Sequence, residues 1–166
     1  SRSRATSPSD AKLSAVSATS PGAIETPAIV LRTVAYGEAD RVVTLLGRTT
    51  GRISALAKNA RKSQRRFGGG LGLGMTGVAT LRMRGGDLQL LEGFEVTHGR
   101  LGLAGDLART AHGAYVLELV EKTSAHDHVE TNVYDLLAEM LDRLEVEPPS
   151  ALRLRVFELA LLGALG

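Results

Sequence analysis

The apolar residues of this chain change their spacing once, and that change limits the fold more than any other feature. Up to about Val96 they come in short runs or alternate with polar residues, the habit of strands. After His98-Gly99 they recur every three and four residues, the habit of helices. A β-only part followed by an α-only part makes an α+β chain rather than an alternating α/β one.

In the first part, Ile29, Leu31 and Val34 lie in a β-rich run closed by Tyr36-Gly37-Glu38, and residues 42–46 form a second run ending near Gly47. Gly51-Arg52 reads as a turn, after which Ile53, Ala55 and Ala57 alternate. Ala79, Leu81 and Met83 alternate with Thr80, Arg82 and Arg84, which predicts a half-buried strand with a cationic outer face. Gly85-Gly86 reads as a two-residue hairpin turn of the primed type leading into Leu88-Gln89-Leu90-Leu91. Phe94 shares the alternation of Leu90 and is assigned to the core. Five such strands predict a five-stranded OB-like barrel over residues 25–99.

The second part, residues 100–166, is expected to be an all-α helical domain, cut short. Leu107, Ala111, Ala114 and Leu117 are expected to share one helix face. Val133, Leu136, Leu137, Met140, Leu141 and Leu144 make the clearest helical stripe, with Asp135, Glu139, Asp142 and Arg143 outside it. Glu147-Pro148-Pro149-Ser150 ends that helix, and Ser150 is placed to cap the next one. From Val156 to Leu165 the last helix is apolar nearly all round, so it is expected to be covered by neighbours beyond Gly166 or by a partner. Residues 1–24, rich in Ser, Thr, Ala and Pro, offer little to bury and read as a disordered N-terminal tail.

Charge divides the chain at nearly the same place. Residues 1–90 hold 14 Lys and Arg against 5 Asp and Glu, whereas residues 91–166 hold 6 against 13. The basic part suits polyanions; the acidic part suits packing or protein partners. The densest cationic stretch is Lys58-Asn59-Ala60-Arg61-Lys62-Ser63-Gln64-Arg65-Arg66-Phe67, which has no acid and interrupts two β-like runs. Lys58, Arg61, Lys62, Arg65 and Arg66 are read as a grip for a phosphodiester backbone, the alternative being a solvated, mobile loop with no partner. Arg82 and Arg84 are expected to extend it from one strand face, with Arg41, Arg48 and Arg52 flanking. The barrel region has only Tyr36, Phe67 and Phe94 as aromatic residues, so few bases could stack on rings. Binding is expected to go through the backbone, leaving bases free to pair.

Motifs for catalysis are missing. Gly72-Leu73-Gly74-Met75-Thr76-Gly77 matches GxGxxG in form, which raises a nucleotide-dependent oxidoreductase as an alternative. A dinucleotide site needs a strand before that motif and a helix after it, whereas here a strand follows. The glycines are therefore expected to form a flexible connection. His126-Asp127-His128 lies between helical runs and reads as a turn or cap; His98 and His112 have no catalytic spacing. Glu38 and Asp40, beside Arg41, read as a solvated turn rather than an acid–base pair. No enzyme activity and no cofactor are expected. Cys is absent, which removes thiolate metal sites from this stretch and is compatible with the cytoplasm. No apolar run reaches membrane length.

Four segments, in order, resemble the RecO family of recombination-mediator proteins. Ile29-Val30-Leu31-Arg32-Thr33 with Tyr36-Gly37-Glu38 looks like its opening, and Leu45-Leu46 followed by Gly51-Arg52-Ile53-Ser54 continues it. Ala57-Lys58-Asn59-Ala60-Arg61-Lys62-Ser63 is similar to its lysine–arginine loop, with Asn59 where Gly is usual. Phe157-Glu158-Leu159, Leu161-Leu162 and Leu165-Gly166 are similar to a later helical motif. The resemblance implies an OB domain and a helical domain that bind single- and double-stranded DNA and anneal complementary strands. It further implies work with RecR to help load RecA onto DNA coated by single-strand-binding protein, whose acidic C-terminal tail the helical domain grips. The family's basic positions fall on Arg52, Lys58, Arg61 and Lys62. A cytoplasmic, nucleoid-associated protein is implied. The zinc cluster that many members carry after this point cannot be claimed without Cys. A generic OB-fold RNA-binding or translation-associated module is the alternative that the basic loop would serve equally well.

Overall fold

The computed structural model describes residues 21–68 and 71–166; the greater part of the expected tail, residues 1–20, lies outside them. Five strands, β1 (Ala23–Tyr36), β2 (Asp40–Gly47), β3 (Gly51–Ala57), β4 (Thr76–Arg82) and β5 (Leu88–His98), close into a barrel in the order β1-β2-β3-β5-β4. β1 starts at Ala23, so the last two residues of the segment read as tail, Ala23 and Ile24, belong to the barrel, paired with Arg82 and Leu81. A one-turn helix, α1 (Gln64–Phe67), stands between β3 and β4. A 3-10 turn (Leu101–Ala104) leads to α2 (Leu107–Thr123), α3 (Thr131–Val146) and α4 (Ala151–Leu165). The α+β architecture is the one expected. Among the described residues no helix is long and apolar enough to cross a membrane.

β1 does the work of two strands. Residues 23–29 pair with β4 and residues 28–36 with β2, so Ala28 and Ile29 are paired on both sides, and a register shift between Val30 and Arg32 interrupts the β2 ladder. The same strand also explains its unbroken apolar run. Ala28 and Val30 point into the barrel core with Val43, Leu45, Ile53, Phe67, Leu91 and Phe94. Ile29 and Leu31 point outward and, with Leu46, join a second core made by Leu117, Val120, Val133, Leu137, Leu141 and Phe157 of the helices. The barrel and the helical part are therefore packed face to face.

The α3 stripe is as expected: Val133, Leu137, Met140, Leu141 and Leu144 are buried, and Asp135, Glu139, Asp142 and Arg143 are exposed. Ser150 accepts the Arg153 N–H at 3.4 Å and caps α4. The face expected of α2 holds only at Leu117, which is buried. Leu107 is 85% exposed, and Ala111 and Ala114 are exposed with it. The buried stripe is Gly113, Val116, Leu117 and Val120, which satisfies the same spacing one step round the helix. The side that is buried is the one whose Val116, Leu117 and Val120 join the core shared with Ile29 and Leu31 of the barrel and Val133 and Leu137 of α3. On α4, Phe157 and Leu161 are buried, while Leu152, Val156, Leu159 and Leu162 are exposed.

Two turn expectations are also corrected. The β4–β5 connection is residues 83–87, and neither Gly85 nor Gly86 has the positive φ of a primed turn. The buried Gln89 side chain organises it instead, accepting the Arg84 N–H and donating to the Gly86 carbonyl at 2.7 Å. Two glycines of the connection expected to be flexible, Gly74 and Gly77, are closely held. Gly74 donates to Val30 O at 2.8 Å, and a Cβ on Gly77 would meet Glu95 O at 2.3 Å. Glycine is needed there for close backbone approach. β4, a strand, follows directly, so the dinucleotide geometry is not formed.

Candidate nucleic-acid interface

The basic stretch is a built turn. Asn59 has φ 55°, a left-handed conformation that Asn tolerates, and its carbonyl accepts the N–H groups of Lys62 and Ser63, each at 3.0 Å. Its own N–H donates to Asp40 Oδ1 at 2.8 Å, and Arg61 N–H donates to Ala39 O at 3.1 Å. The turn after β3 is thereby fastened to the turn between β1 and β2. Phe67, fully buried in the barrel core, fastens the other end.

Between these anchors the cations stand outward. Lys58, Arg61, Lys62, Arg65 and Arg66 are all exposed. Arg61 reaches the Glu38 carbonyl at 3.2 Å. Arg66 donates to the Lys58 carbonyl at 2.6 Å and stacks 5.0 Å from the centre of the Phe67 ring. These partners are neutral, so the positive charge is steered without being cancelled. None of the five is ion-paired with a carboxylate among the described residues.

The other predicted cations differ. Arg82 ends β4 and pairs with Glu92 at 2.7 Å, while Arg84 is exposed in the 83–87 connection, so the two do not share a strand face. Arg52 lies at the start of β3, roughly 20 Å along the strand from Lys58. Its Nε donates to the Ser124 carbonyl after α2 at 2.9 Å, and its own carbonyl accepts the Asp127 N–H at 3.1 Å. Arg52 thus ties the barrel to the helices. Arg48 does likewise through Asp135, at 3.2 and 3.3 Å, and that carboxylate raises the Arg48 pKa by hydrogen bond and charge. Within His126-Asp127-His128, Asp127 has φ 55° and the His126 ring meets its carboxylate at 2.9 Å, so the tripeptide is a turn.

One group with metal-ligand chemistry is brought together by the fold: His98, Asp142 and Glu145. Arg100, its side chain 3% exposed, pairs with both carboxylates, with Glu145 at 3.2 Å. It also donates to Thr76 at 3.3 Å, and Glu145 accepts the Gly102 N–H at 3.1 Å. The guanidinium already supplies the positive charge, and the cluster reads as a clamp between barrel and α3.

The outer surface of the barrel carries a feature that periodicity alone missed. Val34 pairs with Val42, Val42 with Leu56, and Leu56 with Leu90, so four aliphatic residues form one row across β1, β2, β3 and β5. None belongs to either core. Tyr36, two residues beyond Val34, is 58% exposed. Finding the row needs the register.

The N-terminal family model for recombination protein O matches residues 23–100, the barrel, and its C-terminal counterpart matches residues 104–166, the helices. The chain belongs to the RecO family. It is 43% identical over 139 residues to the DNA repair protein RecO of Anaeromyxobacter sp. (strain K), which covers 83% of this chain and 55% of that protein. The same-named proteins of Pelobacter propionicus and Myxococcus xanthus are 40% and 36% identical over 139 and 140 residues, 84% of this chain in each case and 56% and 57% of those proteins. The chain thus spans about half the length of the curated RecO relatives it matches. The left-handed φ at Asn59 gives a physical reason for the glycine usual at that point of the RecO loop, since both residues adopt that conformation.

Proposed function

We propose that this chain is the DNA-handling part of a RecO-type recombination mediator in DNA repair. It binds single- and double-stranded DNA, anneals complementary strands, and with RecR helps load RecA onto DNA coated by single-strand-binding protein. The observation that supports this most is the basic turn: five cations without a carboxylate partner among the described residues, held from both ends on a closed barrel. A grip of this kind neutralises phosphates and reads no sequence. It requires no bond-making chemistry, so the proposed role is non-enzymatic and works without a cofactor in the nucleoid.

The acidic tail of single-strand-binding protein is proposed to dock on the helical part. The apolar groove between α3 and α4, about 190 Å³, is floored by Leu136, Met140, Val156 and Phe157. Arg143 and Arg153 stand on its rim and are shared with Glu139 and Glu147. Guanidinium groups at the edge of the groove suit an acidic segment.

Annealing of complementary oligonucleotides, with and without RecR, tests the reading. Acceleration of annealing supports it; tight RNA binding without DNA annealing would make the chain an RNA-binding module instead. If all five cations engage a single strand, the logarithm of affinity should fall with that of salt at a slope of about −3.5, or roughly 100-fold for a fourfold rise.

A further inference from the structure

We propose that Ser63 is a phosphorylation site whose phosphate closes the basic turn on itself and releases DNA, an inference that rests on the DNA-binding reading above. Ser63 is the one hydroxyl residue between Lys58 and Phe67, with Arg61 and Lys62 before it and Arg65 and Arg66 after it. It is half-buried, so its oxygen stands beside these cations without being enclosed. At φ −106° and ψ 85° it precedes α1 without capping it, which leaves the side-chain oxygen untied to the helix. That oxygen accepts Arg66 Nε at 3.2 Å.

The charge around Ser63 selects the modification. The five cations of the turn have no carboxylate partner among the described residues, although carboxylates are near. Asp40 is taken by the Asn59 N–H, and Glu38 meets Arg61 only through its backbone carbonyl. Glu25 and Glu95 line the cleft beside Arg65 and Arg66 without pairing with them. A phosphate would bring about −1.5 to −2 charges and three acceptor oxygens to the middle of this set. Bonded to an oxygen that already meets Arg66, it takes that guanidinium as its first partner, in a strong charge-assisted contact. The exposed side chains of Arg61, Lys62 and Arg65 compete for the rest.

About two of the five positive charges are then cancelled from within. The turn itself keeps its shape. Its anchors are the Asn59 carbonyl on the Lys62 and Ser63 N–H groups, and Phe67 in the barrel core, and neither uses the Ser63 hydroxyl. In the reaction, Ser63 Oγ attacks the γ-phosphorus of ATP held by a serine kinase that accepts basic segments. The Oγ–P bond forms, the bond to the β–γ bridging oxygen breaks, ADP leaves, and the hydroxyl proton passes to the carboxylate of the kinase. A phosphatase reverses the change with water, releasing inorganic phosphate.

The test compares the 166-residue chain with the same chain carrying phosphoserine at position 63. In oligothymidylate binding, the salt slope should flatten from about −3.5 to about −2, and affinity at 0.1 M salt should fall at least about tenfold. Phosphatase treatment should restore both. Without DNA, the second ionisation of the phosphate, followed by phosphorus NMR, should lie below its usual value of about 6. It should return toward that value in urea and rise in Arg66→Gln. Phosphopeptide mass spectrometry should find the modification at Ser63 in chain isolated from growing or DNA-damaged bacteria. Unchanged affinity and slope, an unshifted phosphorus titration, or a Ser63 without phosphate under both growth conditions overturns the proposal. Failure of the broader reading shows in the unmodified chain: if Lys58→Gln with Lys62→Gln alters neither affinity nor slope, the basic turn is not the DNA grip, and this proposal falls with it.

Discussion

A single φ angle decides whether the basic turn can form. Asn59 sits at φ 55°, where a β-branched side chain is strained by about 1–2 kcal/mol. Asn59→Gly should leave urea stability nearly unchanged, while Asn59→Val should lower it by roughly that amount and weaken DNA binding with it. A second residue-scale link is Tyr115, whose hydroxyl donates to Glu158 at 2.6 Å. That hydrogen bond, helped by Arg155, holds the Glu158 carboxyl below its usual range, and it raises the Tyr115 pKa. A carboxyl with a lowered folded pKa contributes stability above its unfolded pKa of about 4.3 and loses it as pH falls through the folded value. A tyrosine with a raised pKa contributes below about 10 and loses it as pH rises through the folded value. The melting-temperature gap between wild type and Tyr115→Phe should therefore be present at neutral pH and narrow toward both extremes. Asn59 and Tyr115 were both visible as residue types in the sequence, but neither the backbone angle of the first nor the hydrogen-bond partner of the second was.

At the scale of elements, the most consequential one is among the shortest. α1 has only four residues, too few to be stable alone, and stands because Phe67 enters the barrel core. Phe67→Ala should cost about 3–5 kcal/mol of stability, measured by denaturant unfolding. It should also reduce DNA affinity beyond what unfolding accounts for, since Arg65 and Arg66 lose their platform. α3 was legible from sequence because its apolar and charged faces separate cleanly. α2 was not, because it carries apolar residues on two faces and only packing of Val116, Leu117 and Val120 against the barrel and α3 selects one. The β4–β5 connection failed for a related reason: a Gly-Gly pair is locally suited to a primed turn, but the buried amide of Gln89 offered better partners.

For the whole molecule, the junction between barrel and helices is the main finding. It combines the shared apolar core with Arg52 on Ser124, Arg48 on Asp135, and buried Arg100 on Asp142 and Glu145. Burial makes these unequal. Arg100→Ala leaves a largely buried Glu145 with only the His98 ring and the Gly102 N–H among the described residues and should cost more than about 1 kcal/mol, whereas Arg48→Ala breaks an exposed pair and should cost less than about 1 kcal/mol. Thermal unfolding of the two variants checks the order. By itself the sequence determined the period of the apolar residues, and hence five strands before three longer helices, and it concentrated charge in residues 58–66, because both are carried by neighbours along the chain. The pairing of residues distant in sequence was left to the tertiary structure. Only packing decided that Arg52 and Arg82 are engaged while Lys58, Lys62 and Arg65 have no ion pair among the described residues. Only strand register laid Val34, Val42, Leu56 and Leu90 in one row. A residue type states what a side chain can bond to, and the fold states what it meets.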